Sequence, residues 1–181
     1  LDLAMDILGR DLRELYRKNN PKAFATCRYL QVGVFLANHM YLGVLHGAGV
    51  TAQYSLGMGV GEYNHLVHIG ALDFVQAIKL VEQRGLAFDE GPRGAMASIG
   101  PVDDGVLERI LMRVRHKGDV EIGMHCSPTR YVISGDADAV KAALRLFSDE
   151  TYARARITDA RSPAHSSVMK AVGQAMRIQL E

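Results

Sequence analysis

Cysteine is scarce in this chain of 181 residues, which carries only Cys27 and Cys126. Two cysteines this far apart make neither a disulfide framework nor a zinc site of the usual spacing. No apolar run reaches the roughly 18 residues that a membrane-spanning helix needs. These absences predict a reduced, cytoplasmic setting with no membrane partner and no metal site.

Excess charge is also missing, since 21 Lys and Arg residues stand against 20 Asp and Glu residues, a formal net charge of +1. Partners that are held by charge, such as nucleic acids or acidic membrane surfaces, need a clear basic excess. The balance therefore argues against a nucleic-acid partner. With 48% hydrophobic and 23% charged residues, the chain can bury a core. Its length fits one domain or two small lobes.

The first 92 residues carry helical patterns around one short apolar run. Helices are predicted at residues 2–16, 24–45, 62–70 and 74–88. A loop is expected at residues 17–22, where Asn, Asn and Pro follow one another. The run at residues 52–56 predicts a strand. We assign this part of the chain to a large α/β lobe.

The pattern changes after the Gly and Pro residues at 91–94. The segments that follow predict strand, helix, two strands, helix and strand, at residues 95–99, 105–114, 120–125, 131–134, 137–147 and 153–158. This β-α-β-β-α-β order is typical of ferredoxin-like lobes. We therefore predict an α/β protein whose small lobe, residues 93–158, is inserted between residues 1–92 and 159–181 of the large lobe. From Pro163 onward the chain is expected to be helical.

Three alternating glycines follow the predicted strand, in the sequence GMGVGEY at residues 57–63. Strand, glycine turn and helix are the layout of a nucleophile elbow, G-x-S-x-G. The outer glycines are present at Gly57 and Gly61, but Gly59 occupies the position of the serine. The pattern predicts an acyl-transfer scaffold that lacks its usual nucleophile.

Four further segments of the chain carry distinctive motifs. They are VEQRG at 81–85, GAMASIG at 94–100, CSPTRYVISG at 126–135 and SPAHSSVM at 162–169. Together with the glycine turn, and in the same order, they resemble the malonyl-CoA:acyl carrier protein transacylases and the acyltransferase domains of polyketide synthases. The resemblance implies the acyltransferase fold, an α/β-hydrolase-like large lobe with an inserted ferredoxin-like small lobe. It also implies a role in polyketide or fatty acid biosynthesis.

The same resemblance implies roles for single residues. His165 is the expected catalytic base, and Gly59 stands at the nucleophile position. Arg84 would bind the free carboxylate of a malonyl-type acyl group through two hydrogen bonds, with Met58 and Val60 beside the substrate. No covalently bound cofactor is implied. A malonyl-CoA-type acyl-CoA is the expected substrate or ligand, and an acyl carrier protein is the expected partner.

Several positions depart from the family's pattern. Met58 stands where the family has His, and residues 26–29 read TCRY where it tends to read TQPA. Cys126 stands where an Asn is expected to hold the catalytic His. The opening G-Q-G-S-Q segment and the part after the His helix have no counterpart, so the resemblance covers the middle of an acyltransferase. Glycine has nothing to acylate, so transfer through a covalent intermediate on residue 59 is excluded.

Other side chains are candidates for part of this chemistry. Ser55 has a side chain that can act as a nucleophile, although it falls inside the strand predicted at residues 52–56. Cys126 is also a nucleophile type, although cysteine is often simply buried. Ser166 and Ser167 are expected to start a helix.

Two further sets of side chains have alternative interpretations. Glu62, His65 and His68 could share a helix face as metal ligands, but no further ligand cluster is evident. Arg84 could instead form a surface ion pair with Glu82 or Asp89.

Three functional hypotheses follow for a divergent acyltransferase-family protein. It could be a non-catalytic scaffold that binds acyl-CoA or a carrier protein. It could use His165 with water, or a bound acceptor, for thioester hydrolysis or an unusual transfer. Gly59 could also be an engineered change, but Met58 and Val60 differ from the motif too, which a single change does not explain.

Overall fold

The first unit of the chain is built from helices. The computed structural model describes residues 1–17, 20 and 24–180 and divides into the units Leu1–Asp89 and Glu90–Glu181. The described residues of the first unit form the α-helices α1 (Asp2–Leu8), α2 (Cys27–Gly47), α3 (Gly61–His68) and α4 (Phe74–Glu90). Their shared core contains the buried residues Ala4, Leu12, Leu15, Val32, Phe35, Leu36, Ala77, Ile78 and Val81.

Helix α1 ends much earlier than its apolar spacing predicts. Gly9 takes the left-handed conformation, with φ 65°, and its N–H donates to the Met5 carbonyl. This glycine cap closes the helix after two turns, so a single helix over 2–16 is wrong. A short 3₁₀ helix follows at Arg13–Tyr16. Of the loop predicted at 17–22, only Arg17 and Asn20 lie within the described residues.

Helix α2 begins where side chains satisfy its first N–H groups. The Thr26 hydroxyl accepts from the Tyr29 N–H at 3.2 Å. The Asp89 carboxylate accepts from the N–H groups of Cys27 and Arg28 at 2.8 and 2.9 Å. A negative charge at a helix N-terminus is stabilising because the peptide dipoles leave partial positive charge there. The predicted helix over 24–45 is confirmed within three residues.

Helix α4 begins with a reciprocal cap. The Asp73 carboxylate accepts from the Gln76 N–H at 2.7 Å, and the Gln76 side chain accepts from the Asp73 N–H at 3.2 Å. This is the geometry of a capping box, with Gln in the usual fourth position. The predicted start at residue 74 is confirmed, and the helix extends two residues beyond its predicted end.

The strand predicted at residues 52–56 is wrong. The described part of the first unit contains no strand, and this segment is irregular and exposed. Tyr54 is 91% exposed and Leu56 is 86% exposed. A strand needs a neighbour to pair its backbone groups, and the described residues of this unit supply none.

The second unit has the predicted strand and helix order. Its elements are β1 (Ala95–Gly100), α5 (Asp104–Val114), β2 (Val120–Ser127), β3 (Arg130–Gly135), α6 (Ala137–Glu150), β4 (Arg154–Asp159) and α7 (Lys170–Leu180). The sheet has the order β2-β3-β1-β4, and every neighbouring pair is antiparallel. The predicted β-α-β-β-α-β sequence of elements is confirmed.

One face of this sheet is buried under α5 and α6. Ile99, Ile110 and Phe147 are fully buried in its core. Along β4, Ala155 and Ile157 pack against that core while the alternate residues are exposed. Side chains alternate between the two faces of a strand, so the exposed residues of β4 lie on the opposite face.

The end of the second unit differs from the prediction. A helix from Pro163 is wrong, because the chain first passes through a loop and a 3₁₀ turn at Ser167–Met169 and becomes α-helical at Lys170. His165 has φ 63°, which no right-handed helix accommodates. Residues 159–181 group with the second unit in the structure, whereas the sequence assigns them to the large lobe.

A buried carboxylate on α4 accepts from Arg28 of α2 and from Arg10, which follows the end of α1. Glu82 is 8% exposed and accepts hydrogen bonds from Arg28, at 2.5 and 2.8 Å, and from Arg10. We expect Glu82→Gln to lower the free energy of unfolding by about 2–4 kcal/mol, because two shielded guanidinium groups then lose their counter-charge. Urea titration followed by circular dichroism measures this change.

The matched control is Glu108→Gln, on the exposed face of α5. It should change the free energy of unfolding by less than about 0.5 kcal/mol. Equal small changes in both variants would contradict a stabilising role for Glu82.

Candidate active site

The glycine turn before α3 closes through three backbone hydrogen bonds. The N–H groups of Gly61, Glu62 and Tyr63 donate to the carbonyls three residues earlier, at 3.0, 3.3 and 3.1 Å. Gly59 sits inside this turn with φ 59°, the left-handed region. The Val60 N–H has no acceptor among the described residues. The turn therefore leaves a free amide next to residue 59, where an elbow would place an oxyanion donor.

The glycines of the turn meet different constraints. A Cβ on Gly57 would lie 2.2 Å from the Gly61 carbonyl oxygen and 2.3 Å from the Glu62 nitrogen, so only glycine fits there. A Cβ on Gly59 would meet no heavy atom within 4 Å. A side chain at residue 59 therefore has space, and its cost would be the left-handed backbone alone.

Helices α2 and α3 and the loop at residues 55–58 line an open cavity of about 390 Å³. Asn64, 4% exposed, fixes the two helices together: its side-chain amide donates to the Phe35 carbonyl at 2.9 Å and its oxygen accepts from Asn38 at 3.2 Å. At the rim, the Ser55 hydroxyl lies 2.8 Å from His65 Nδ1. Ser55 is thus in an exposed loop, and not in a strand as predicted.

Arg84 carries a partly buried charge without an acidic partner among the described residues. Its Nη1 donates to Gln31 Oε1 at 2.5 Å, and its guanidinium carbon lies 4.6 Å from the centre of the Phe88 ring. Burial lowers the pKa of the Arg84 guanidinium, while the nearby Tyr63 and Glu62 act in the opposite direction.

The acidic side chains proposed as its alternative partners are used elsewhere. Glu82 accepts from Arg10 and Arg28, and Asp89 caps α2. The alternative interpretation of Arg84 as a surface ion pair with Glu82 or Asp89 is wrong.

His165 lies in the second unit with a strained backbone. It is the one non-glycine residue with positive φ in the described ranges 1–17, 20 and 24–180. Such a conformation costs on the order of 1–3 kcal/mol and is concentrated at functional sites. The exposed His165 packs above β2, because a Cβ on Gly123 would lie 3.5 Å from its Cβ.

Two serines fix the loop around His165. Ser166 donates from its hydroxyl to the Pro163 carbonyl at 2.7 Å, and Ser167 donates from its N–H to Glu121 at 3.2 Å. The Ser167 hydroxyl donates to the same carboxylate. Ser166 is the N-cap and Ser167 the first residue of the 3₁₀ turn that leads into α7, so the prediction that these serines lie at a helix start is confirmed.

The Cys126 thiol and the possible metal ligands of α3 are the remaining candidates. Cys27 is buried, and Cys126 is exposed at the end of β2. Within the described ranges, no three His, Cys, Asp or Glu side chains are arranged to hold a metal ion. No helix in the part of the chain that the structure describes is long and apolar enough to cross a membrane.

The open face of the sheet carries a group of arginines that the sequence analysis missed. Arg130, Arg154 and Arg156 line a groove of about 660 Å³ with Ser98 and Thr158. Arg154 is opposite Gly100 and Arg156 opposite Ser98 in the strand register. None of the three arginines forms an ion pair with a described residue. The spacing of two residues between Arg154 and Arg156 was the available signal, since it places both on one face.

Sequence comparison finds one family across nearly the whole chain. The model of the acyl transferase domain matches residues 4–181. The malonyl CoA-acyl carrier protein transacylase of Bacillus subtilis strain 168 is 32% identical over 138 residues, which are 74% of this chain and 44% of that protein. The polyketide biosynthesis malonyl CoA-acyl carrier protein transacylase PksC of the same organism is 28% identical over 151 residues, or 83% of this chain and 52% of PksC.

Solved structures give the same result. A malonyl CoA-acyl carrier protein transacylase from Burkholderia pseudomallei aligns with a TM-score of 0.90 and 27% identity, covering 99% of this chain and 61% of that chain. A complex of a type II polyketide synthase acyl-carrier protein with its malonyl-transacylase, PlMCAT:AntF, aligns with a TM-score of 0.86 and 31% identity. The alignment covers 98% of this chain and 59% of that chain.

This chain spans about half the length of the curated relatives that it matches, 44% and 52% in the two cases above. The family model nevertheless covers residues 4–181, which include the glycine turn, Arg84 and His165. The sequence resemblance and the predicted α/β acyltransferase fold are confirmed. The chain belongs to the acyl transferase domain family.

Proposed function

We propose that this chain binds a malonyl-type thioester in the manner of a malonyl-CoA:acyl carrier protein transacylase, without forming an acyl-enzyme at residue 59. The observation that carries the proposal is the Arg84 guanidinium, held by Gln31 and Phe88 but paired with no described carboxylate. A desolvated guanidinium is costly until an anion binds it. A free carboxylate at the end of a short acyl group supplies two acceptors in the geometry that arginine prefers.

The proposal also specifies the class of acyl group. A plain fatty acyl chain would bring an apolar end against Arg84 and leave its charge unpaired. The free carboxylate of a dicarboxylic thioester would pair with the Arg84 charge. Relatives named malonyl CoA-acyl carrier protein transacylases align with 74% and 83% of this chain, which supports malonyl-CoA as the first ligand to test.

His165 supports a second candidate function, thioester hydrolysis. An imidazole can take a proton from water as the water oxygen attacks the thioester carbonyl. The C–S bond then breaks, and the thiol leaves with that proton. The strained backbone of His165 favours a functional role for this side chain, since strain has no benefit for folding.

An acyl carrier protein is the proposed macromolecular partner. Carrier proteins are acidic, and the groove of Arg130, Arg154 and Arg156 is a basic surface without internal counter-charge. One similar structure, PlMCAT:AntF, is a complex between an acyl-carrier protein and its malonyl-transacylase. A cytoplasmic location fits a partner and a substrate of this kind.

Arg84→Gln should weaken malonyl-CoA binding by about 10- to 100-fold, because a hydrogen-bonded charge pair contributes roughly 1.5–3 kcal/mol. Acetyl-CoA, which has no second carboxylate, should bind both proteins equally. Isothermal titration with both thioesters measures the difference. Arg109→Gln, an exposed arginine of α5, is the matched control. Equal losses for the two thioesters would contradict carboxylate recognition by Arg84.

Gly59→Ser should restore an acyl acceptor to the turn, because a Cβ there meets no heavy atom within 4 Å. After incubation with malonyl-CoA, mass spectrometry with fragment mapping should place a malonyl group on the introduced side chain. Native chain should carry none at that position. The same substitution combined with Gly57→Ala should lose the adduct, because the added Cβ collides with the Gly61 carbonyl. Unchanged labelling in the double variant would argue against an elbow geometry.

Replacing Arg154 and Arg156 together by Glu should weaken binding of a phosphopantetheinylated acyl carrier protein at least tenfold at low salt. The native affinity should fall as salt rises, since screening weakens exposed charge pairs. Fluorescence anisotropy with a labelled carrier protein measures both effects. Arg109→Glu with Arg145→Glu makes the same change of net charge on helices α5 and α6. If this control weakens binding equally, the effect reflects net charge and not the groove.

A further inference from the structure

Ser55 and His65 form a contact that the family resemblance does not contain. The Ser55 hydroxyl lies 2.8 Å from His65 Nδ1, and it has no other hydrogen-bond partner among the described residues. The serine therefore caps no helix and closes no turn. A hydroxyl within hydrogen-bond reach of an imidazole is the arrangement that activates serine as a nucleophile.

The surroundings of the pair suit a reaction with a small ligand. Both residues line the cavity of about 390 Å³ beside α3, together with Gly57 and Met58. His65 lies on helix α3, which the buried Asn64 anchors to α2. The base is thus held by a packed helix, while Ser55 is exposed and open to an approaching acyl group.

We propose that Ser55 is an acyl acceptor, with His65 as its general base, that takes acyl groups from small activated esters and thioesters. Ser55 Oγ attacks the carbonyl carbon while His65 Nδ1 takes the hydroxyl proton. The bond from the carbonyl carbon to the leaving oxygen or sulfur breaks, and the leaving group takes the proton from His65. The product is an ester on Ser55. Water, activated by His65 in the same way, attacks this ester and regenerates the serine.

This inference goes beyond malonyl-thioester binding and does not depend on Arg84. A small ester without coenzyme A and without a second carboxylate offers nothing for Arg84 to recognise. An experiment with such an ester can therefore disprove acylation of Ser55 while malonyl-thioester binding holds. Malonyl-thioester binding can equally fail while Ser55 is acylated.

The test is acetylation of the full chain by p-nitrophenyl acetate. Released p-nitrophenolate gives the rate, and mass spectrometry with fragment mapping gives the labelled residue. We expect one acetyl group on Ser55 of the native chain. Ser55→Ala should lose that label. His65→Gln, whose amide can still hydrogen-bond but cannot take the proton, should slow labelling of Ser55 by about 100-fold, as loss of a general base does.

Ser148→Ala and His116→Gln are the controls, because both residues are exposed outside the cavity and should leave the rate unchanged. Circular dichroism and the thermal midpoint establish that each variant is folded. Acetyl groups distributed over other residues, or a native rate no higher than that of Ser55→Ala, would overturn the proposal. So would equal labelling of Ser55 in native chain and in His65→Gln.

Discussion

The close approach of two backbone segments at Gly57 is the constraint on which the candidate site depends. A Cβ at this position would lie 2.2 Å from the Gly61 carbonyl oxygen, so the chain can fold back here only because residue 57 lacks one. This approach directs the chain into α3 at Gly61 and leaves Gly59 in the left-handed conformation. The free Val60 amide and the position of His65 follow from the same turn.

The Arg84 site depends on how the neighbouring charges are distributed. Glu82, on the same helix, is engaged by Arg10 and Arg28, and Asp89 is engaged by the first N–H groups of α2. The two carboxylates considered as partners of Arg84 therefore already have structural roles. Gln31 and Phe88 orient the guanidinium through a neutral oxygen and a ring face, and no described carboxylate forms an ion pair with it.

The parts predictable from sequence are those fixed by neighbours along the chain. The strands and helices of the second unit alternate with clear turn residues, and helix α4 has its capping box within four residues, so both could be predicted. Residues 52–56 have an apolar strand pattern, but a strand also needs a partner from elsewhere in the chain. The backbone angle of His165 and the Ser55–His65 contact were equally beyond prediction, because neither leaves a periodic signal.

The residues that carry an energetic cost to folding are the ones most informative about function. Gly59 costs nothing in its left-handed turn, so the turn can form whether or not it supports chemistry. Arg84 and His165 do carry a cost, the first through desolvation of a charge and the second through backbone strain. Folding alone would favour an apolar residue at one position and glycine at the other. The proposed ligand that pairs with the Arg84 charge, and the proposed reaction that uses the His165 imidazole, would give each cost a function.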